Sequence, residues 1–322
     1  MATYLVTGGA GFIGSALVRE LLRRGERVRV VDNLATGLRR NIAEVLTQIE
    51  FVEVDITDLD RLRPALEGVD YVLHQAALRS IPRSVDNPLA SNRVNVEGTL
   101  NVLVAARDAR VRRVVYASSS SAYGDTPTLP KEESMPVNPV SPYAVSKLAA
   151  EFYTRVFPLV YGLDTVSLRY FNVFGPRQDP TSPYSAVLSI FISALLEGKR
   201  PTIFGDGEQT RDFTYVDNVV DACLLACTAP QAAGKMMNVA AGQQNSLNRV
   251  VALLQEIIGT EREPIYGPPR PGDVLHAHAD ISLARQLLGY APKVFLEEGL
   301  RRTVAWYREN PEAFRQPGTA AI

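Results

Sequence analysis

The strongest indication of the fold is the stretch Thr7-Gly8-Gly9-Ala10-Gly11-Phe12-Ile13-Gly14. A short apolar run at residues 4–7 leads into it and an apolar helical pattern follows it, so a strand turns sharply into a helix. The first glycines permit the turn, Gly11 lets backbone approach a pyrophosphate, and Gly14 lets the helix pack closely on the sheet. Because the free amides of a helix N-terminus attract anions, the stretch predicts a dinucleotide site.

Similar units, each an apolar run followed by a helical pattern, continue along the chain from these glycines. The runs are rich in β-branched residues and lie at residues 27–31, 50–54, 70–74 and 113–118, with a further strand predicted at 165–169. Continuous apolar strands joined by helical crossovers are typical of a parallel sheet that is covered on both faces. We therefore predict an α/β fold with a doubly wound parallel (Rossmann) sheet.

The distribution of proline marks a change of architecture in the second half. Only three of the 21 prolines precede residue 127, and from about residue 172 glycine, proline and tyrosine interrupt shorter segments. Helical patterns are predicted there at about 185–198, 217–228, 246–258, 281–289 and 297–309. We expect residues 1–171 to form a nucleotide-binding domain and residues 172–322 to form most of a smaller mixed α/β substrate-binding lobe, with interleaved segments allowed.

The overall composition is that of an ordinary globular protein. Its 34 basic side chains balance 35 acidic ones and 46% of its residues are hydrophobic, which excludes disordered, collagen-like and strongly basic nucleic-acid-binding proteins. Its apolar runs are too short to span a bilayer, and the first strand begins too early for a signal peptide. We expect a cytoplasmic protein that binds neither membranes nor nucleic acids.

The cysteines and histidines predict neither a disulfide nor a metal site. Cys223 and Cys227, four residues apart in an Ala/Leu-rich helical pattern, are predicted to be small core residues. His74 is predicted to pack at a strand end, and His276 and His278 lack a carboxylate or cysteine ligand signature. We therefore assign no metal.

Asp32 ends the second strand-like run, 18 residues after Gly14. A carboxylate there can accept hydrogen bonds from both ribose hydroxyls and repels a 2′-phosphate, so the predicted cofactor is NAD. Arg39 and Arg40 just downstream leave NADP open. The structural alternative is an aspartate that only caps a turn before Asn33.

A serine-rich strand end and a Tyr-x-x-x-Lys pair form the candidate catalytic group. Residues 117–124 read Ala-Ser-Ser-Ser-Ser-Ala-Tyr-Gly, and Tyr143 lies 20 residues beyond Tyr123. Tyr143 and Lys147 are spaced i,i+4, so they share one helix face. A lysine ammonium, like the positive ring of an oxidised nicotinamide, lowers the pKa of a nearby phenol towards the range of a general base. Such a pair alone is usually a solvated surface, but its place after the serines and the dinucleotide stretch favours catalysis.

Together these motifs resemble the extended short-chain dehydrogenase/reductases that act on nucleotide sugars, and among them the UDP-hexose 4-epimerases. The resemblance covers essentially the whole chain, through motifs at residues 7–14, 31–33, 74–77, 141–147, 168–177, 204–213 and 270–273. It looks closest to the UDP-N-acetylglucosamine 4-epimerases of bacterial surface-polysaccharide pathways, at Arg83-Ser84 and at residues 177–180. The stretches 94–107 and 143–160 resemble the helix pair of the family's four-helix dimer interface, which implies a homodimer.

The resemblance also implies a mechanism. Tyr143 removes the proton from the sugar 4-hydroxyl while a hydride leaves carbon 4 for NAD. The 4-keto sugar then rotates and takes the hydride back on its other face. Ser119 would bridge the sugar hydroxyl and Tyr143, and Ser120 and Ser121 are adjacent candidates; the sequence leaves open which hydroxyl matters most.

The remaining cofactor-binding residues are assigned partly from strand ends and partly from the resemblance. Asp55 and the segment Gln75-Ala76-Ala77 lie where the third and fourth strand-like runs end, at the edge where ligands bind in such folds. The resemblance adds Asn33, Gly37, Ile56, Asn95, Tyr143, Lys147 and Tyr170.

Arginines in glycine-flanked loops are candidates for binding the substrate diphosphate, because guanidinium forks suit phosphate oxygens. Arg211 and Arg270 are placed in this way, although Asp212 beside Arg211 also allows an ordinary surface ion pair. The resemblance assigns Arg270 to the diphosphate, Asp273 to the uridine ribose, and Asn172 to the diphosphate or the sugar. The predicted substrate site is completed by Ser80, Ser119, Ser120, Ser121 and Ala277.

By the resemblance, Ala277 closes one side of the sugar pocket. A large aromatic residue there is associated with enzymes limited to UDP-glucose and UDP-galactose, because its ring fills the space of an N-acetyl group. The small Ala277 therefore implies interconversion of UDP-N-acetylglucosamine and UDP-N-acetylgalactosamine, with some activity on the non-acetylated pair. Arg79 is bulky where acetyl-specific relatives look to have glycine; it could shrink the site and limit the enzyme to UDP-glucose and UDP-galactose.

Two other functions share the predicted cofactor site. A nucleotide-sugar 4,6-dehydratase needs an acid and a base, for which those enzymes carry an Asp-Glu pair directly after the threonine that corresponds to Ser119. This chain has Ser120-Ser121 instead, which cannot do that proton work near neutral pH. A non-enzymatic dinucleotide sensor usually lacks the tyrosine or the lysine, and Tyr143 and Lys147 are both present.

Overall fold

The computed structural model describes residues 1–180, 187–269 and 275–314. Its strands are β1 (Thr3–Thr7), β2 (Arg27–Asp32), β3 (Glu50–Glu53), β4 (Tyr71–His74), β5 (Arg113–Ser119), β6 (Asp164–Tyr170), β7 (Val173–Phe174), β8 (Thr202–Phe204), β9 (Thr210–Arg211), β10 (Thr214–Tyr215), β11 (Met236–Val239), β12 (Asn245–Ser246) and β13 (Ile265–Gly267). Its α-helices are α1 (Phe12–Arg23), α2 (Leu59–Leu62), α3 (Ile81–Asp86), α4 (Pro88–Asn92), α5 (Thr99–Asp108), α6 (Pro142–Tyr161), α7 (Val187–Leu196), α8 (Val216–Thr228), α9 (Leu247–Ile258), α10 (Ser282–Leu288) and α11 (Leu296–Glu309). A π-helical segment, Arg93–Gly98, joins α4 to α5, and short 3-10 helices lie at Arg39–Asn41, Ala43–Gln48, Arg63–Leu66, Ser120–Tyr123, Pro230–Ala232 and Pro311–Ala313.

Seven strands form one parallel sheet in the order β11-β6-β5-β4-β1-β2-β3. The strand β1 lies between β2 and β4, so that Val6 is the neighbour of both Val30 and Leu73. The chain runs outward from β1 to β3 on one side and from β4 to β6 on the other, so its direction reverses between β1 and β4. Doubly wound sheets bind ligands at such a reversal, beyond the carboxyl ends of the strands. The predicted fold class is confirmed.

Helices cover both faces of the sheet, and the buried side chains of each strand alternate between the two faces. Val6 packs with Leu17 of α1 and Cys223 of α8 on one face, whereas Leu5 packs with Leu103 of α5 on the other. Both cysteines are buried thiols, as predicted. Among the described residues, no helix is both long and apolar enough to cross a bilayer.

A second core lies mainly in the later part of the chain and is built by α7, α9 and α11. Phe191, Leu254 and Leu300 are buried there, one from each helix. Three short ladders, β10 with β7, β12 with β9, and β13 with β8, accompany these helices. The five helical patterns predicted for this part of the chain agree with α7 to α11 to within two residues at each end, except that the predicted start at about residue 185 lies outside the described residues.

The sheet itself continues past residue 171. The edge strand β11 pairs with β6, where Met237 lies beside Leu168, and α8 packs against α1. The strand β11 was not predicted, because its residues Met-Met-Asn-Val include only one β-branched residue and show no alternation of apolar and polar residues. The division at residue 171 stays a prediction for the folding units, but it is not a boundary of the nucleotide-binding sheet.

Candidate active site

The turn between β1 and α1 depends on close backbone contacts that only glycine allows. Gly8 has φ +68°, and a Cβ there would lie 2.8 Å from the amide nitrogen of Ala76. A Cβ on Gly14 would lie 2.1 Å from the carbonyl oxygen of Gly8. The first amides of α1, starting at Phe12, have no acceptor within the helix, and the N-cap Gly11 has no side chain to satisfy them. These amides are the groups that fit a pyrophosphate.

Asp32 is held at the end of β2, beside this turn. One carboxylate oxygen accepts from the amide of Ala10 at 2.9 Å and the other from the amide of Leu34 at 2.8 Å. Burial raises the pKa of Asp32, and these two hydrogen bonds oppose the rise. The hydrogen bond from Leu34 shows that Asp32 does cap the turn at Asn33, which was the alternative to a cofactor contact. It does not exclude a ribose contact, because each carboxylate oxygen can accept a second hydrogen bond.

Several other predicted cofactor residues contact one another at the carboxyl edge of the sheet. Asn33 donates to a carboxylate oxygen of Asp55 at 2.7 Å, and Gln75 lies 3.3 Å from the hydroxyl of Tyr170. Ile56 is placed differently, because it is buried in the core on the α5 face of the sheet. Contact between these residues and the cofactor stays a prediction.

Asn95 and His74 hold the loop and strand end that border the turn. Asn95 bonds both backbone groups of Leu78, at 2.8 and 3.0 Å, and donates to the hydroxyl of Ser146 at 2.9 Å. Asn95 therefore joins the loop after β4 to α6. His74 is buried 2.6 Å from the hydroxyl of Thr7, and burial lowers its pKa to about 3, so the ring is neutral. The prediction of a packed strand-end histidine is confirmed.

A cavity of about 380 Å³ lies between the carboxyl edge of the sheet and the second lobe. It brings together candidate residues that are far apart in the sequence. Its lining includes Phe12, Ile13, Arg79, Ser118, Ser119, Ser120, Ser121, Tyr143, Tyr170, Asn172, Arg211 and Ala277. Of the predicted catalytic and substrate-binding residues, Ser119, Ser120, Ser121, Tyr143, Asn172, Arg211 and Ala277 thus meet in one place, whereas Lys147 and Ser80 are not part of the cavity lining.

The side chains of Tyr143 and Ser119 line this cavity together. Burial raises the pKa of Tyr143, whereas the hydroxyl of Ser119 and the positive charge of Arg79 lower it. Lys147 is buried one turn further along the helix, 4.5 Å from the ring centroid of Tyr116, and burial lowers its pKa to about 7. Ser121 supports Ser119 by donating its hydroxyl to Ser119 Oγ at 2.8 Å. Ser119 is therefore the serine whose hydroxyl acts on the pKa of the tyrosine.

The helix α6 is anchored at the turn that carries Tyr143. Ser141 is its N-cap and accepts from the amide of Ala144 at 3.2 Å, and Pro142 occupies the first helical position. The amide of Tyr143 donates to the hydroxyl of Ser84 at 3.0 Å. Sequence reasoning gave no role to Ser141, although a serine before proline is a recognisable helix start.

Short backbone pairings bring Arg211 and Ala277 to the cavity. Arg211 lies on β9, and the amide of Ala277 donates to the carbonyl of the neighbouring Thr210 at 3.1 Å. Both residues line the cavity, as the predicted substrate site requires. Arg270 and Asp273, predicted to bind the diphosphate and the ribose, lie outside the described residues.

Asp212 organises this side of the cavity, a role that sequence reasoning missed. Its buried carboxylate accepts from the amides of Ala241 at 3.0 Å, Gly242 at 3.2 Å and Ala279 at 3.2 Å. Its carbonyl accepts from the side chain of Asn172 at 3.3 Å. Burial raises the pKa of Asp212 to about 6, although the amide hydrogen bonds favour the charged form. The carboxylate thus ties together segments that the sequence separates widely.

Arg79 and Ile81 line the cavity on either side of Ser80. Ser80 has φ +112°, which side-chain-bearing residues rarely adopt, and its hydroxyl caps α3 by accepting from the amide of Arg83 at 3.3 Å. A direct contact of Ser80 with substrate stays a prediction. The concern that Arg79 could enter the sugar site is supported by its place in the same cavity as Tyr143.

Comparison with known proteins gives consistent similarity across both lobes. The chain matches the NAD dependent epimerase/dehydratase family over residues 4–240. The UDP-glucose 4-epimerase of Mycolicibacterium smegmatis is 43% identical over 312 residues, which cover 96% of this chain and 99% of that protein.

Two solved structures are also similar over almost their whole length. The UDP-N-acetylglucosamine 4-epimerase from Methanobrevibacter ruminantium, in complex with UDP-N-acetylmuramic acid, has a TM-score of 0.92 and 40% identity, and the match covers 96% of this chain and 99% of that one. The UDP-glucose 4-epimerase of Thermus thermophilus, in complex with NAD, has a TM-score of 0.87 and 39% identity, covering 95% and 99%. The names of these proteins agree on 4-epimerisation and differ in the hexose.

The carboxylate of Asp32 leads us to expect NAD, rather than NADP, in the protein as purified, because a negative charge repels the 2′-phosphate. Acid extraction followed by chromatography should release NAD. Gly14→Ala should release much less, because its Cβ would collide with the carbonyl of Gly8. Recovery of NADP would mean that Asp32 does not contact the ribose.

Proposed function

The chain belongs to the NAD dependent epimerase/dehydratase family, and on this premise we propose that it is a UDP-hexose 4-epimerase. The proposed substrates are UDP-N-acetylglucosamine and UDP-N-acetylgalactosamine, with activity on UDP-glucose and UDP-galactose as well. Its cofactor is NAD. The proposal rests on one observation above the others: Tyr143 and Ser119 line the same cavity, one helical turn from the buried Lys147.

In this proposal Tyr143 accepts the proton of the sugar 4-hydroxyl, and Ser119 passes a hydrogen bond between that hydroxyl and the phenol. Lys147, when protonated, stabilises the phenolate by its positive charge. Bound NAD would supply the hydride acceptor for carbon 4 and, as its reduced form, the hydride donor for the opposite face of the 4-keto sugar. Tyr143 gives the proton back as the 4-hydroxyl forms again.

The sugar has to turn over while the nucleotide stays bound, so the two ends of the substrate need different contacts. The guanidinium of Arg211 suits the diphosphate, with Asn172 beside it on the wall of the same cavity. The opposite wall offers the short hydroxyl side chains of Ser119, Ser120 and Ser121. Tight binding of the diphosphate and loose binding of the sugar would allow the rotation.

The choice of hexose depends on two residues of the cavity wall, Ala277 and Arg79. The small Ala277 leaves space for an N-acetyl group and favours the acetylated pair of substrates. Arg79 reduces that space and favours a second candidate, a UDP-glucose 4-epimerase that rejects acetylated sugars. We favour the acetylated substrates, because the flexible side chain of Arg79 can turn away from the sugar. A rigid aromatic ring in place of Ala277 could not.

A dehydratase is the less suitable function for this cavity. Its reaction removes water across carbons 5 and 6, which requires an acid and a base beside the sugar. The positions after Ser119 carry the hydroxyls of Ser120 and Ser121, which do not ionise near neutral pH. The proposed enzyme therefore returns the hydride to carbon 4 without losing water.

We further propose that two copies of the chain pair through α6. Its outward face carries large apolar side chains that are exposed in the single chain, and the neighbouring α4 adds another. These side chains are Phe152, Val156, Leu159, Val160 and Leu89. In the second predicted interface stretch, residues 94–107, Val102 and Leu103 are instead buried in the core of their own chain. The proposed interface is therefore supplied mainly by α6.

Tyr143→Phe is expected to lower kcat by about 10²-fold or more, because it removes the general base and keeps the ring. Bound NAD should stay at the native level. Tyr161→Phe, which removes a hydroxyl from the far end of the same helix, is the matched control and should leave kcat unchanged. Native turnover by Tyr143→Phe would contradict the mechanism.

Ala277→Tyr should abolish turnover of the two acetylated UDP-sugars and keep turnover of UDP-glucose and UDP-galactose, because the ring occupies the acetyl space. Arg79→Gly should raise kcat/KM for the acetylated pair by roughly tenfold. The measurement is steady-state kinetics of native protein and both variants on all four UDP-sugars. A native enzyme that turns over UDP-galactose but not UDP-N-acetylgalactosamine would favour the second candidate.

Light scattering is expected to give twice the chain mass of 35.3 kDa. Leu159→Glu should give a monomer, because it places a carboxylate in the proposed apolar interface. Ile265→Glu changes an exposed apolar residue of the second lobe and should remain a dimer. A stable native monomer would rule out the proposed pairing.

A further inference from the structure

A buried ion pair lies one helical turn beyond Lys147. Tyr143, Lys147 and Glu151 are spaced i, i+4 and i+8 along α6, so they occupy one face of the helix. The two oxygens of Glu151 accept from Arg169 Nη2 at 2.7 Å and from Arg169 Nε at 2.9 Å. The side chains of Arg169 and Glu151 are only 2% and 1% exposed, so this pair is shielded from water.

The same carboxylate holds the strand end that carries Ser119. The hydroxyl of Ser118 donates to Glu151 at 2.6 Å. Ser118 lies opposite Arg169 in the parallel pairing of β5 with β6, so both side chains reach Glu151 from the sheet. Ser119 is the next residue, lines the cavity with Tyr143 and lowers the pKa of its phenol. Glu151 therefore connects the helix of the proposed base to the strand end of the proposed serine.

Glu151 also acts electrostatically on Lys147. Burial lowers the pKa of Lys147 to about 7, and the negative charge of Glu151 raises it. The other titratable groups around Lys147 provide no such charge. His74 on β4 is neutral, and Tyr116 on β5 keeps its proton because burial raises its pKa well above the usual value. Tyr143, on the same helix, carries a negative charge only after it has lost its proton.

A contribution to stability does not by itself account for a pair of this kind. Removing two charges from water costs about as much as their attraction returns, so an apolar pair often stabilises a core equally well. Two hydrogen bonds from Arg169 hold the Glu151 side chain in one orientation. The guanidinium of Arg169 lies 4.6 Å from the ring centroid of Tyr123 on the cavity wall. The pair thus fixes the position of the Glu151 carboxylate behind the proposed catalytic residues.

We propose that Glu151 is a positioning residue for the proton transfer. Its charge keeps Lys147 protonated, and its hydrogen bond to Ser118 keeps Ser119 at the phenol of Tyr143. This inference rests on the roles proposed above for Tyr143 and Lys147.

Glu151→Gln tests the charge, because it preserves the shape and an acceptor oxygen while removing the ionised group. A lower pKa for Lys147 should move the alkaline limb of the pH profile of kcat towards lower pH by about one unit. At pH 8 kcat should therefore fall about tenfold, with a smaller loss at pH 6. KM should be unchanged, because Glu151 acts behind the cavity wall. Glu151→Asp keeps a charge one carbon further away and should shift the profile by less.

Asp164→Asn is the matched control. Asp164 pairs with Arg113 at 3.2 Å and joins the same two strands at their other end, far from Lys147. This variant should keep the native pH profile. If the role of Glu151 were purely structural, Glu151→Gln and Asp164→Asn would both lower the midpoint of thermal unfolding. Both variants would then keep the native pH profile.

The outcomes separate this inference from the proposed function. If Tyr143→Phe is inactive while Glu151→Gln keeps the native pH profile, the inference is overturned and the proposed function stands. If Tyr143→Phe has native turnover, the proposed function itself fails. Should Glu151→Gln not fold, Glu151→Asp decides, and a native kcat and pH profile in that variant would overturn the inference.

Discussion

The carbonyl oxygen of Gly8 and the Cα of Gly14 lie so close together that no side chain fits between them. This contact sets α1 against the end of β1 and directs its unsatisfied amides at the point where the strand order reverses. Gln75 and Ala76, which follow β4, pack onto Gly8. Asp32 at the end of β2 accepts a hydrogen bond from the amide of Ala10 in the same turn. The rest of the site is arranged around this one close contact, because the carboxyl ends of β4, β5 and β6 lie at the same edge of the parallel sheet.

Buried polar side chains then fix the loops that the strands and helices leave free. Asn95 bonds both backbone groups of Leu78, and Asp212 binds amides from two separate segments. A buried polar group without partners is costly, so each of these side chains favours the single loop arrangement that satisfies it. The cavity walls gain their definition from such contacts, whereas the apolar cores position the elements behind them.

The proposed chemistry needs Tyr143 and Lys147 in their charged forms, and burial shifts the pKa values of these two groups in opposite directions. It raises the pKa of Tyr143 and lowers that of Lys147, so it favours the neutral form of both. Nearby groups oppose each effect: the Ser119 hydroxyl and the Arg79 cation favour a phenolate, and Glu151 favours an ammonium. The surrounding charges therefore make a dry site compatible with proton transfer.

The sequence alone determined those features that depend on residues a few positions apart. The strand–glycine–helix unit, the succession of the first six strands along the chain and the i,i+4 pair of Tyr143 and Lys147 are all local patterns. The structure has each of them. Only the tertiary structure decided that β11 completes the sheet, that Asp212 binds backbone amides and that Glu151 meets the β5–β6 strand ends. It also placed Ile56 in the core and Arg79 in the same cavity as Ala277. These features depend on which distant segments pack together, and that is set by the burial of whole helix and sheet faces rather than by the spacing of neighbouring residues.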